Sequence, residues 1–248
     1  MRLRLIKVGF STVLLGVFLG FEVRAQEGYI LEEETTMPPV FGMSGKMSIT
    51  KTWITKDKMK RNEGAKNQTT ILRSDIGKIW LIDHSDTTYT ELSREMFQGL
   101  AMMGLMMFGV TVDSVTGDPI IPDTLFQKTG RRRNIDDWDC FEVVVTRGKN
   151  VFGNGIIEPV VMWVSGDTGI EKDLYGRLMR QLMGGLGKKY DSLFRQINQL
   201  GGYPVLVETK AMGFKMVQKL KSAEKCFLEE SIFLLPEGYK KKEGLFVE

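Results

Sequence analysis

Ile71-Leu72-Arg73-Ser74-Asp75-Ile76-Gly77-Lys78-Ile79-Trp80-Leu81-Ile82-Asp83-His84-Ser85-Asp86 carries the pattern that decides the fold. Short apolar runs flank Asp75-Ile76-Gly77, and Asp83 to Asp86 turns the chain again before Thr88-Tyr89-Thr90 resumes it. Runs this short, bounded by Gly, Asp and Ser, describe antiparallel strands joined by tight turns. The same rhythm extends outward. Upstream, Met47 and Ile49 alternate with Lys46 and Ser48, Trp53 continues, and Lys56-Asp57 marks a turn. Downstream, Phe141, Val143 and Val145 share one face of a strand, while Val160 to Val164 and Val205 to Val207 form two more. Phe214 and Met216 then oppose Lys215 and Lys219, giving a strand with one dry and one wet face. Helices do not alternate regularly with these strands, so the expected class is mainly β (α+β) and antiparallel.

Two helical segments interrupt the meander. Ser93 is a candidate N-cap for a helix from Arg94 to Phe108. That helix holds Met96, Met102, Met103, Met106 and Met107 with Phe97, Leu100, Leu105 and Phe108, and is apolar around its circumference. Such a helix is either covered on most sides or meets a greasy ligand. Methionine suits both uses, because its flexible, polarisable side chain fills irregular apolar space. The second segment, Glu171 to Leu200, places Leu174, Leu178, Leu182 and Leu186 four apart, and Gly184-Gly185 with Gly187 divides it.

The N-terminus reads as an export signal. Arg2, Arg4 and Lys7 precede an apolar run from Val8 to Phe21, and Val23-Arg24-Ala25 offers a cleavage site. The run is short for a membrane span. Residues 1–25 are therefore expected to be a cleaved signal peptide, 26–40 a loose lead-in with Glu32-Glu33-Glu34 and Pro38-Pro39, and 41–248 a single domain. The chain has 34 basic and 31 acidic residues; the signal takes four of the former and one of the latter, leaving 30 of each. This balance gives no support to a nucleic-acid partner. Arg131-Arg132-Arg133 reads as a solvated hairpin tip.

Catalytic constellations are scarce. His84 is the only histidine and falls in a turn, where exposure is the ordinary state. Cys140 and Cys226 lack metal-ligand spacing. Outside the cytoplasm they are a candidate disulfide, although Cys140 in a strand can equally be a buried apolar residue. No nucleophile elbow or phosphate loop is present. The chain is thus expected to be no enzyme and to need no metal or cofactor.

Trp53 to Arg61, Thr70 to Asp75, and Gly77-Lys78-Ile79-Trp80 through Leu92 resemble exported bacterial proteins grouped as domain of unknown function 4412. Cys140-Phe141-Glu142-Val143, Val161-Met162-Trp163-Val164 and the closing Phe233-Leu234-Leu235-Pro236-Glu237-Gly238-Tyr239 extend the resemblance over most of the mature chain. These proteins are similar to the LolA/LolB lipoprotein carriers. The resemblance implies an unclosed antiparallel β-barrel, a half-barrel, with helices covering the concave face. Together with the export signal, whose cleavage after Ala25 would leave no transmembrane anchor, it implies a periplasmic or extracellular binding protein for a lipid or lipoprotein acyl chain. Leu100, Met102, Met103, Met106 and Met107, with Trp80 and Trp163 on the resembling strands, are the expected ligand contacts. The alternatives are an envelope structural or assembly factor whose cavity is self-filled, and an unrecognised hydrolase.

Overall fold

The computed structural model describes residues 25–38, 45–107, 110–145, 159–183, 190–211 and 214–242. Residues 1–24, which hold most of the expected signal, fall outside them. The first half contains β1 (Gln26–Met37), β2 (Lys46–Thr55), β3 (Lys58–Glu63), β4 (Gln68–Arg73), β5 (Lys78–Asp83), β6 (Thr88–Leu92) and α1 (Arg94–Met107). Then follow β7 (Thr111–Val112), β8 (Pro119–Ile120), β9 (Phe126–Ile135), β10 (Trp138–Val145) and β11 (Val160–Ser165). The chain continues through α2 (Leu174–Met183), α3 (Asp191–Gln199), β12 (Tyr203–Ala211), β13 (Phe214–Leu228) and β14 (Lys240–Lys241).

Among the described residues, twelve strands form one sheet in the order β14-β6-β5-β4-β3-β2-β1-β13-β12-β11-β10-β9, with β7 and β8 as a separate ribbon. Pairing in the sheet is antiparallel except where β14 joins β6 in parallel. The sheet does not close on itself; β9 and β14 are its edges. This is an unclosed β half-barrel carrying helices. The Ile71–Asp86 stretch forms β4 and β5 with Ile71 opposite Trp80 and Leu72 opposite Ile79. Gly77 closes their turn at φ +64°, a conformation that a side chain would strain.

Alternation gives this sheet two faces with different covers. On the inner face, Tyr29, Ile54, Met59, Leu72, Ile79 and Leu92 line up through direct register pairs across β1 to β6, with Leu31 beside Tyr29 on β1. They pack with Leu174 and Leu178 of α2 and with Phe97 of α1. Val143, Val145, Val160, Met162 and Val164 pack with Tyr190, Leu193 and Phe194 at α3 and with Ala101 and Met102 of α1. Ser93 caps α1 as expected, its Oγ accepting from the Met96 N–H at 3.2 Å. The segment Glu171 to Leu200 is two helices, and Gly184, Gly185 and Gly187 lie outside the described residues between them.

The outer face has another cover. Ile71, Trp80, Ile82 and Leu228 surround the fully buried Phe233, which a 3₁₀ turn at Glu230–Phe233 holds in place. Residues 229–242 thus cross the outside of the sheet as a strap. Glu230 pairs with the nearly buried Lys58 and Arg73 at 2.8 Å each. Farther along, the Tyr239 hydroxyl lies 2.7 Å from His84 Nδ1, and β14 adds its edge to β6. His84 Nε2 is 2.7 Å from the Thr69 hydroxyl, which donates to Asn62. His84 is therefore a half-buried link between sheet and strap, where an exposed turn residue was expected.

Three other expectations change. Residues 26–37, expected as part of a loose lead-in, form β1 at the middle of the sheet, paired to β2 and β13. The acidic run concealed the alternation: Glu33 follows Tyr29 and Leu31 onto the inner face, while Glu32 and Glu34 face outward. Arg131-Arg132-Arg133 lies along edge strand β9, and the hairpin tip is Asp136-Asp137, with Asp136 at φ +48°. Arg131 binds Glu142, Arg132 binds Asp139, and the Arg133 guanidinium sits 4.0 Å above the Trp163 ring. A charged edge also resists pairing with other chains. Finally, of the two readings open for the cysteines the structure has the second: Cys140 and Cys226 are both free thiols, and Cys140 is buried. Their strands β10 and β13 have β11 and β12 between them, a separation of about 14 Å at ~4.8 Å per strand. A bridge needs Cα atoms within about 7 Å.

Candidate functional site

A cleft of about 320 Å³ opens between α3 and the inner face of the sheet. Its apolar walls are Ile197 and Leu200 from α3 and its end, Tyr203, Pro204 and Val207 from β12, and Leu220 from β13. Gly202 completes the wall at the start of β12. A Cβ there would stand 2.2 Å from the Ser165 carbonyl oxygen, so the close approach of backbone to backbone requires glycine.

The polar groups of the cleft are largely occupied by each other. Glu33 is buried; its carboxylate accepts from Arg61 Nη1 at 3.0 Å and from the Tyr203 hydroxyl at 3.2 Å. A buried carboxylate without such donors would be strongly destabilising, and here two elements supply them. Glu171, at the mouth, binds Arg177. A second hollow, about 440 Å³, lies beside it and is walled by Gln26, Glu27, Lys56, Glu171, Arg177 and Gln181. Its wall residues are all polar or charged. The first is the better ligand site, because such sites are mainly apolar clefts with a few placed polar groups.

Of the expected contacts, the four whose side chains are described, Leu100, Met102, Trp80 and Trp163, do not line this cleft. Met102 is half-buried against the cluster that α3 joins. Leu100 points outward, 40% exposed, and with Met96 makes an exposed apolar stripe four residues apart on α1. The side chains of Met103, Met106 and Met107 lie outside the described residues. Trp80 stands on the opposite face under the strap, donating its indole N–H to Glu91 at 3.0 Å. That bond, with the Lys78 ammonium beside it, holds the Glu91 carboxyl below the usual carboxylate range. Trp163 is buried beneath Arg133 and is no lining residue of the cleft.

The sequence reading missed Glu33, Arg61 and Tyr203. They are drawn from β1, β3 and β12, and no motif connects them. The alternation Tyr29, Leu31, Glu33 is the one local sign that this carboxylate turns inward. A second buried carboxylate, Glu142, sits behind a bulge at Thr129-Gly130-Arg131, where Gly130 adopts φ +83°. Burial alone would raise its pKa, but hydrogen bonds from Thr129 at 2.6 Å and from Arg131 Nε at 2.6 Å hold it below the ordinary value. This second cluster is a structural clamp on edge strand β9.

No family model matches the chain, and no curated protein matches it. Among solved structures, an uncharacterised conserved protein from Thermus thermophilus aligns with 87% of this chain and 89% of its own at 6% identity, with a TM-score of 0.46. PNGF-II aligns with 88% of this chain at 11% identity and a TM-score of 0.39; this chain covers 31% of that protein. A LolA superfamily protein from Nitrosomonas europaea aligns with 84% of this chain and 90% of its own, at 11% identity and a TM-score of 0.33.

Proposed function

We infer that this chain is an exported, non-catalytic binding protein that holds an apolar ligand, a lipid or acyl chain, in the periplasm or outside the cell. One observation carries the reading: the cleft between α3 and the sheet has apolar walls, and its buried carboxylate, Glu33, is already satisfied by Arg61 and Tyr203. Its volume reaches the lower end of the range of about 300–1,000 Å³ for ligand sites. The non-catalytic reading is supported by two placements among the described residues: His84 lies under the strap on the other face, and Glu33 is held by Arg61 and Tyr203. No helix of the described residues is long and apolar enough to cross a membrane. The Met-rich α1 would serve as a flanking cover, its exposed Met96 and Leu100 available to a longer ligand.

Binding of the fluorescent apolar probe N-phenyl-1-naphthylamine to the purified protein tests this. Val207→Trp, which fills the cleft, should abolish the signal while the protein stays folded. Lipid extraction of protein taken from its own envelope should then recover the natural occupant. The self-filled structural factor is the second reading, favoured by the way Leu174, Leu178, Leu193 and Phe194 already occupy much of the inner face. Absence of probe binding to the parent protein would decide for it.

A further inference from the structure

We propose that the cleft takes one unbranched chain bearing an anionic head, a carboxylate or phosphate monoester, with that head at Lys172. The proposal rests on the apolar-ligand reading above and names the class of ligand. Size sets the first limit. A cleft of about 320 Å³ holds about ten methylene-sized groups, taking each near the ~30 Å³ that a water occupies in the liquid. That is one chain of medium length, and it is too small for two or three.

Charge sets the second limit. Of the ionised groups on the walls, Glu33 is closed by Arg61 and Tyr203, and Glu171 by Arg177. Glu63, the other carboxylate near Arg61, is neutralised by Lys66 at 2.6 Å. Lys172 is exposed at the mouth beside Glu171 and has no ion-pair partner among the described residues. The cleft is therefore apolar inside, with a cation at its entrance that no described carboxylate compensates. An anionic head gains a charge-assisted hydrogen bond there, whereas a cationic head finds no free carboxylate on the described walls.

Displacement of N-phenyl-1-naphthylamine from the purified protein by ten-carbon competitors tests the proposal. Decanoate or monodecyl phosphate should displace the probe at concentrations about tenfold below decanol, the size of effect expected of one charge-assisted bond. Whichever of the two anions is stronger identifies the head. Lys172→Glu should erase the preference for the anions and leave decanol unchanged, with the thermal melt confirming the fold. Equal displacement by decanol and both anions overturns the head-group assignment while the apolar-ligand reading stands. Loss of decanol binding in Lys172→Glu overturns it too. Failure of the parent protein to bind the probe at all overturns the apolar-ligand reading itself.

Discussion

Phe233→Ala is the most informative change to the fold, because it asks whether the C-terminal strap is part of the cooperative structure. Phe233 is 1% exposed and enclosed by Ile71, Trp80, Ile82 and Leu228. Truncating a ring so enclosed removes its transfer free energy and leaves a cavity, and buried Phe→Ala changes cost about 3–5 kcal/mol. For a domain of this size each kcal/mol moves Tm by about 2–4 °C, so a drop of about 10 °C is expected. Urea unfolding should show the midpoint falling with the slope retained, since the surface exposed by global unfolding is almost unchanged. Leu234→Ala is the control: the neighbouring residue is 50% exposed, so its loss should stay within about 0.5 kcal/mol. The measured loss cannot exceed the free energy with which the strap docks if the strap detaches by itself. A shift for Phe233→Ala no larger than that of Leu234→Ala would refute the reasoning and show a strap lying loosely on a sheet that is stable without it.

Three further outcomes are expected. His84→Ala removes contacts to Tyr239 and Thr69 and should cost about 1–2 kcal/mol in urea unfolding; a double-mutant cycle with Tyr239→Phe should show coupling, and additive losses would argue against the link. Glu142→Gln should destabilise by about 1–3 kcal/mol near neutral pH. The folded-state pKa of Glu142 is depressed, so its contribution is fully present above the unfolded value and is lost as pH falls through the folded one; the gap between parent and variant should close below about pH 4, and a constant gap in melts taken across that range would contradict this. Both thiols should react with a thiol reagent in denaturant without prior reduction. In the native state they should react slowly, because burial raises both pKa values and keeps thiolate scarce; two unreactive thiols in denaturant would mean a bridge.

The strands and turns of Ile71 to Asp86 were legible because their causes are local: residue type sets the period and Gly77 sets the turn. The antiparallel meander followed from repetition of that pattern, whereas the half-barrel was expected only from the family resemblance. What was not legible is what two distant segments do to each other. Tyr239 meets His84 and Glu230 meets Lys58 and Arg73 only after the chain has returned over the outer face. Nothing near His84 in sequence announces that its turn will be covered.

The two charge runs show the same limit in another form. Glu32-Glu33-Glu34 was read as part of a loose lead-in and Arg131-Arg132-Arg133 as a solvated hairpin tip; the arginines are exposed as expected, but both runs lie on strands. A strand instead divides a run by alternation, and each face has its own environment. Glu33 goes inward to Arg61 and Tyr203, while Glu34 lies outward, 4.0 Å from Lys221. Arg131 and Arg133 go to Glu142 and Trp163, while Arg132 goes to Asp139 on the other side. The location of the cleft follows from similar reasoning. Methionine content drew attention to α1, where the side chains of Met103, Met106 and Met107 lie outside the described residues, and content alone measures how apolar a helix is, not where space remains beside it. The remaining space is fixed by how closely backbones approach. At Gly202 that approach is too tight for any side chain, and there the cleft takes its wall from the start of β12.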